Sequence, residues 1–390
     1  MYMLAKTVGV SVEHVRGWGR NVYEGIAAFA REHPEWNLVM YEDGLPSKAE
    51  LNACHGFLWC VSDAKTAAEL MASRRPVIDL ISDGKFPGTV SVGADHEACG
   101  RMAAEHFLSR HFTHFAFLGW QGLNFSGARE SSFAAALASH SYACAVYSTG
   151  SMSMSRFVNE SVQRERLVLP PDEKEIVAWL GRLPKPVGVF CANDLRAWQL
   201  SAICRQYGIA VPDEVAILGA DNDSVPCFFS SAPLSSVDTN TRETGYRAAV
   251  LLDDLMTGRR TAAEGGLLVP PCEVVAREST AVDPVEPPWL ASALAFIRAN
   301  VDRPLSAEEV VRQTGKSYAT VENAFRRELG TSVQKEIMRI RLERAEHYLR
   351  TTSMPLAQIA ARCGFAPQQY FNLRFRRVHG VTPGEWRQRS

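Results

Sequence analysis

The sequence predicts an α/β body built on doubly wound parallel sheets, followed by an all-α domain carrying a tandem helix-turn-helix. Three observations predict it. Short apolar runs alternate with amphipathic stretches over residues 1–280, a proline-rich acidic hexapeptide (DPVEPP, 283–288) interrupts the chain, and the last hundred residues repeat one helix, glycine turn, helix layout twice. Charge divides at the same place. From residue 284 onward 17 Lys and Arg face 10 Asp and Glu, which leaves 25 against 33 for residues 1–283, so the net −1 hides a basic tail on an acidic body. A basic domain is the electrostatic footprint of a phosphate-bearing partner.

In chain order, residues 6–10, 56–61, 76–81, 114–118, 187–191 and 215–218 are apolar runs of strand length, and 22–32, 97–110 and 196–207 are amphipathic helices between them. Ligands of such sheets bind beyond the carboxyl ends of the strands, so the loops that follow each strand are the candidate functional loops. Residues 283–288 suit a semi-rigid spacer. Beyond it, AEEVVRQTGKSYATVENAFRR (307–327) and LAQIAARCGFAPQQYFNLRFRR (356–377) each run a short apolar helix into Gly315 or Gly364, where a residue without Cβ permits a tight turn. Val321 and Phe325, like Phe371 and Phe375, stand four apart and share one buried face. The opposite face is left for a DNA major groove. The second helices are expected to begin at Ser317, an N-cap, and near Pro367, in a first helical turn. Residues 333–349 form a long helix that sets the distance between the two motifs.

Several classes are disfavoured. No apolar run approaches the roughly 18 residues needed to span a bilayer, and residues 1–10 lack the basic start, apolar run and cleavage site of a secretory signal. A cytoplasmic protein is expected, with no membrane partner. Nine scattered cysteines without a CxxC pair fit reduced, buried thiols, and no metal or cofactor is expected. No GxSxG, P-loop or HExxH occurs, and no GxGxxG follows the first strand, so no catalytic residues are assigned.

The segment MPLAQIAARCGFAPQQYFNLRFRRVHGVTPGEWR (354–387) resembles the C-terminal signature of the AraC/XylS family of transcription regulators. It has an IA pair, a GF turn, YF, a phenylalanine followed by basic residues, and a closing G-x-TP-x-x-aromatic-R; this resemblance covers the last quarter of the chain. The body resembles the sugar-sensing domain of the lactose-repressor and periplasmic-binding-protein superfamily. SVGADHEACGRMAAEHFLSRHFTHFAFLG, ARESSFAAAL, VFCANDLRAWQL, YGIAVPDEVAILGADND and PLSSVDTNTRETGYRAAVLLDDLMTG carry that likeness. It implies two lobes joined by three crossings, expected near Gly119, Ser236 and Val269. The lobes would be about 1–118 plus 240–268 and 119–239 plus 269–282, with a linker at 283–288 and a DNA-binding domain at 289–390. Regulators with both halves in this order are similar in plan, and LVPPCEVVAREST matches their junction. That likeness implies an activator of sugar-catabolism genes, with xylose as the first effector to test. The Ser- and Met-rich stretch 150–166 is about a dozen residues longer than the corresponding segment of such regulators and is expected to be a surface insert.

Residue by residue, the resemblance implies Arg129, Asn193, Asp194 and Asp221 as ligand-binding groups. A sugar presents donors and acceptors in a rigid array, which carboxylates, amides and guanidinium groups can meet together. Arg16, with His14 and Glu13, lies in the loop after the first strand and is placed to close the cleft; Trp18, Trp120 and Trp198 stand near these loops, where a ring can cover a sugar's CH face. Competing readings make Asp95 and Asp221 helix caps, Trp198 core packing and His14 a solvated loop residue. Towards DNA, Ser317, Tyr318, Thr320, Asn323, Gln368, Gln369 and Asn372 are candidates for the outward face and base edges, and Arg326, Arg327, Arg374, Arg376 and Arg377 for phosphates. The partners expected are an operator duplex, a monosaccharide effector, a second copy of the chain and RNA polymerase. A purine or amino-acid effector is the alternative.

Overall fold

The computed structural model describes residues 5–41, 45–81, 86–150, 153–154, 157 and 170–389. The described chain divides into two compact units. The first ends at Ala281 and lacks only Phe107–Phe112; the second runs from Val282 and includes Phe107–Phe112.

Two sheets organise the first unit. One contains β1 (Lys6–Ser11), β2 (Trp36–Met40), β3 (Gly56–Trp59), β4 (Val77–Asp79), β5 (Val90–Ala94) and a late strand, β11 (Leu267–Val269), in the order β11-β5-β4-β3-β1-β2. The other contains β6 (Phe115–Trp120), β7 (Cys144–Thr149), β8 (Val187–Cys191), β9 (Val215–Ala220), β10 (Ser235–Asp238) and β12 (Glu273–Val275), in the order β12-β10-β9-β8-β6-β7. Every pairing is parallel except β10 with β12. Parallel strands covered on both faces need continuous apolar runs, and β3, β6, β8 and β9 are buried along their whole lengths. The strand order reverses beside β1 in one sheet and beside β6 in the other, which makes the loops after β1, β3, β6 and β8 the natural ligand-binding positions.

The helices that cover these sheets are α1 (Gly17–Glu32), α2 (Lys48–Ala53), α3 (Ala64–Ala72), α4 (His96–Leu108), α5 (Asn124–Ala138), α6 (Glu173–Leu180), α7 (Asp194–Tyr207), α8 (Ser224–Phe229) and α9 (Thr241–Thr257). In the first lobe Val8, Val10, Val22, Ile26, Leu58, Ile78 and Leu252 form one core. The helices α1 and α9 meet there backbone to backbone: a Cβ on Gly25 would lie 1.9 Å from the Arg242 carbonyl oxygen, and one on Gly245 would lie 2.1 Å from that of Val22. Val189, Cys191, Leu200 and Ile217 centre the core of the second lobe.

The crossings differ in detail from the sequence expectation. All of β6 belongs to the second sheet, pairing with β7 as far as Trp120 and Thr149, so the first crossing precedes residue 115 instead of lying near Gly119. The second falls at 239–240, after β10, and the third between β11 and β12. An apolar run marks a buried strand without stating which sheet it joins, which is why the boundary slipped.

The second unit contains α10 (Pro288–Asn300), α11 (Ala307–Thr314), α12 (Tyr318–Leu329), α13 (Val333–Thr351), α14 (Leu356–Arg362), α15 (Gln368–His379) and α16 (Pro383–Arg389). It has two cores. Leu294, Val310, Val321 and Phe325 form one with Ile337 and Ile340, and Ile359, Phe371 and Phe375 form the other with Leu342, Ala345 and Leu349. Ile337, Ile340, Leu342, Ala345 and Leu349 all come from α13, so a single helix of 19 residues, about 28 Å long, enters both cores and fixes one motif to the other. Among the described residues no helix is long and apolar enough to cross a membrane.

Candidate functional site

The first site grows from the strand ends of the first unit. Asp221 follows β9 with a φ of 99°, a conformation that non-glycine residues rarely adopt. Its carboxylate accepts from Arg129 Nη2 at 2.9 Å and from Thr239 Oγ1 at 3.2 Å. Arg129, on α5, is 2% exposed and also donates through Nη1 to the Ala192 carbonyl just beyond β8, at 2.5 Å. Burial disfavours its charge, but the acidic groups around it, Asp221 foremost, together outweigh this and raise the guanidinium pKa.

Asn193 and Asp194 lie in the same loop, and both carry bonds within the protein. Asn193 caps α7, its side chain accepting from Arg196 N at 3.0 Å. Asp194 is 2% exposed and accepts from Ser236 Oγ at 2.6 Å and from Asp223 N at 2.7 Å. Burial, reinforced by the Asp221 charge, pushes its carboxyl well above the ordinary range. An Asn-Asp pair at a helix start satisfies orphan backbone N–H groups, a role that competes with ligand binding. Here Asn193 closes the start of its own helix, and Asp194 braces the loop that carries Asp221 and Asp223.

The facing wall comes from the loop after β1. Glu13 Oε2 accepts from Arg16 N at 3.3 Å, while burial raises the Glu13 pKa against the pull of Arg16. The Arg16 guanidinium stands 4.0 Å over the Phe157 ring and donates to the Phe157 carbonyl at 3.3 Å. Gly17 N and Arg20 Nη2 donate to Asp223, at 2.7 and 3.2 Å, so the start of α1 in one lobe is tied to the start of α8 in the other. Trp120 meets Phe157 and Phe125 edge-on, with ring centroids 5.4 and 6.4 Å apart.

Other expected residues stand elsewhere. His14 is exposed and its carbonyl accepts from Arg20. Trp18 packs against the core of the first lobe and Trp198 against that of the second, while Asp95 caps α4 through Ala98 N at 2.8 Å. Of the 150–166 insert, residues 151–152, 155–156 and 158–166 lie outside the described residues. Sequence reasoning passed over Asp223, Phe125, Phe157 and His96. The last of these stands two residues beyond β5, a strand-end position that could have singled it out. Burial, with the Arg129 charge nearby, pushes the His96 pKa well below 6.5, leaving a neutral ring. Glu13 Oε1, His96 Nδ1 and Arg129 Nε are buried and have no hydrogen-bond partner among the described residues. Buried polar atoms in that condition need water or a ligand. With an aromatic wall and the Arg129–Asp221 pair beside them, they suit a compact molecule rich in hydroxyls.

The second site is on the two motif helices. Gly315 and Gly364 take φ of 66° and 68°, the left-handed turn each motif requires. Ser317 caps α12 by accepting from Thr320 N at 3.2 Å, and Pro367 occupies the N-cap position of α15, one residue outside the helix. Val321, Phe325, Phe371 and Phe375 are fully buried. Opposite them, Ala319, Asn323, Arg326 and Arg327 on α12 and Gln369, Leu373, Arg376 and Arg377 on α15 are exposed, as are Ser317, Tyr318 and Thr320 at the start of the first. Arg326 and Arg327 pair with Glu322 and Glu328, but exposed ion pairs of this kind are weak and yield readily to a phosphate. Three candidates sit off that face. Gln368 and Asn372 are half-buried, and Arg374 turns against Tyr370, donating to its hydroxyl at 2.9 Å. Helical phase explains the last: in the register of the first motif Arg374 stands where Ala324 enters the core.

Residues 104–280 match the family of periplasmic binding protein-like domains, and residues 310–389 match a helix-turn-helix domain family. The chain is a DNA-binding transcription regulator, with an AraC-type helix-turn-helix domain behind a periplasmic-binding-protein-like sensing domain. It is similar over nearly its whole length to xylose operon regulatory proteins: 26% identical to that of Haemophilus influenzae over 380 residues, 95% of each chain, and 24% identical to that of Escherichia coli K12 over 385 residues, 95% of this chain and 94% of the other. The solved structure of the xylose-binding transcription activator xylR has the same fold, with a TM-score of 0.62 at 24% identity, across 100% of this chain and 99% of that one.

Proposed function

We propose that the chain is a sugar-responsive activator of sugar-catabolism genes, whose effector is a monosaccharide of the xylose type held between the lobes of the first unit. The observation that carries this reading is the Arg129–Asp221 pair together with the buried Glu13 Oε1 and His96 Nδ1, which have no partner among the described residues. Vicinal hydroxyls donate to one neighbour and accept from the next, so one small ring can satisfy donors and acceptors together. The relatives named for xylose operons support the same class. A purine would be served better by stacking between aromatic rings with fewer charged groups, and the two carboxylates and two arginines of this cleft favour the sugar.

Sugar binding stabilises the closed first unit, and a closed-state preference of about 1 to 3 kcal/mol between DNA-competent and DNA-incompetent forms changes operator affinity severalfold to a hundredfold. The regulator acts in the cytoplasm as a homodimer, with four motifs on an operator of two half-sites, and engages RNA polymerase as an activator. The effector leaves unchanged: among the described residues the cleft's carboxylates and arginines are arranged as hydrogen-bonding partners. The test is a thermal-shift panel of pentoses, hexoses, purines and amino acids on the full chain, because a ligand of the native state raises the melting temperature. A stereospecific rise with a pentose, lost in Asp221→Ala, is expected. A flat sugar panel with a purine or amino-acid response would overturn it.

A further inference from the structure

The helix α15 displays a leucine where a solvated face should be polar. Leu373 is 67% exposed, whereas its neighbours Phe371 and Phe375, both fully buried, point to the core. At about 100° per residue, Gln369 and Arg377 lie about 40° from Leu373 around the helix, Arg376 about 60°, and Phe371 and Phe375 about 160°. All three polar companions are exposed. Leu373 therefore occupies the middle of the face that Gln369 opens and the arginines close. The corresponding position of the first motif, two residues before Phe325, is Asn323. A second exposed apolar side chain on α15, Val378 at 63%, stands about 140° away and does not extend the patch. That separation argues against a continuous apolar surface for a protein partner.

The base edges of a major groove offer one apolar group, the C5-methyl of thymine. We infer that Leu373 reads a thymine by packing on that methyl, while Gln369, one turn earlier, reads a neighbouring base by hydrogen bonds and Arg376 and Arg377 hold phosphates. The inference rests on the DNA-binding reading of the second unit and assigns the two motifs different chemistry: a polar contact from Asn323 in the first and an apolar one from Leu373 in the second.

The test uses the full chain. A preferred operator is selected from a random duplex pool, and each thymine in it is replaced singly by deoxyuridine, which lacks only the methyl. Affinities are compared at one salt concentration by fluorescence anisotropy. One replacement should weaken the parent about fourfold, the value of burying one methyl-sized group. Leu373→Ala should bind the two duplexes alike, and Gln369→Ala should keep the parent's response to the methyl. Parent-like melting of Leu373→Ala checks its fold. No responsive thymine, or a Leu373→Ala variant that responds as the parent does, would overturn the inference while leaving DNA binding intact. Failure of the parent to select any sequence would instead overturn the DNA-binding reading itself. A Leu373→Ala variant with unchanged DNA affinity but lost activation would assign the side chain to a protein partner, again against the inference.

Discussion

Asp194 and Asp221 stand in adjoining loops and meet different fates. Asp221 has a cation at 2.9 Å; Asp194 has a hydroxyl and a backbone N–H. The sign of the pH effect follows from its raised pKa: the folded chain keeps a proton that the unfolded chain releases, so the stability Asp194 lends is complete below the ordinary carboxylate pKa of about 4 and is lost as pH rises through the raised value. Asp194→Asn keeps the size and removes the ionisation; its amide oxygen can still accept from Asp223 N, and its NH2 can donate to Ser236 Oγ once that hydroxyl turns round. Urea melts at pH 8 should find it more stable than the parent, with the gap closing towards pH 4; a less stable variant at pH 8 would refute the assignment. The presence of Asn193 and Asp194 in a strand-end loop was legible in the sequence. Their bonding was not, because a residue type at a loop does not say whether its oxygens face a ligand or the next backbone N–H. Arg129 and Asp221, 92 residues apart, were legible as a pair of candidates only through family motifs, and His96 was missed because its place just past a strand end was taken only as the start of a helix.

At the scale of elements, the two glycine turns look alike in sequence and differ in surroundings. A Cβ on Gly315 would meet open space, whereas one on Gly364 would lie 2.5 Å from the Val301 carbonyl oxygen and 2.8 Å from that of Arg303. Gly315→Ala should therefore cost about 1 kcal/mol for the left-handed conformation. Gly364→Ala adds a clash with backbone that cannot swing aside, and a loss of about 3 kcal/mol or more is expected. Equal losses in denaturant melts would show that the second turn can relax. Repetition made both motifs, and the helix α13 between them, legible from periodicity alone. Edge strands were less visible. The strand β2 is exposed at three of its five residues and β12 is half-buried throughout, so neither carries the apolar run that betrays β3 or β8. Edge strands need burial on one face only, which weakens their signal.

At the scale of the whole molecule, the second unit does not begin at the linker. It includes Phe107–Phe112, a segment far away in sequence, and Glu336 on α13 shows what that segment contributes. Glu336 is 1% exposed, with His111 Nε2 at 3.4 Å and Arg339 Nη2 at 2.7 Å. Burial alone would raise its pKa, but the His111 ring at ion-pair distance and the hydrogen bonds from Arg339 bring it down from 4.5 to about 2. A depressed carboxylate lends stability above its unfolded pKa, near 4.5, and loses it as pH falls towards about 2. The fall from 4.5 to about 2 corresponds to about 3 kcal/mol of preference for the charged form, so Glu336→Gln should destabilise the second unit of the full chain by up to about that amount at pH 7 and by much less at pH 2. A fragment of residues 282–390 lacks His111. The same substitution should cost it less, and the unsubstituted fragment should melt below the second unit of the full chain. If fragment and full chain lose equal stability on Glu336→Gln, Arg339 alone holds the carboxylate and the distant segment adds nothing to this domain. A larger loss in the full chain would mean that a boundary drawn from composition at the proline-rich linker cuts through a folded unit.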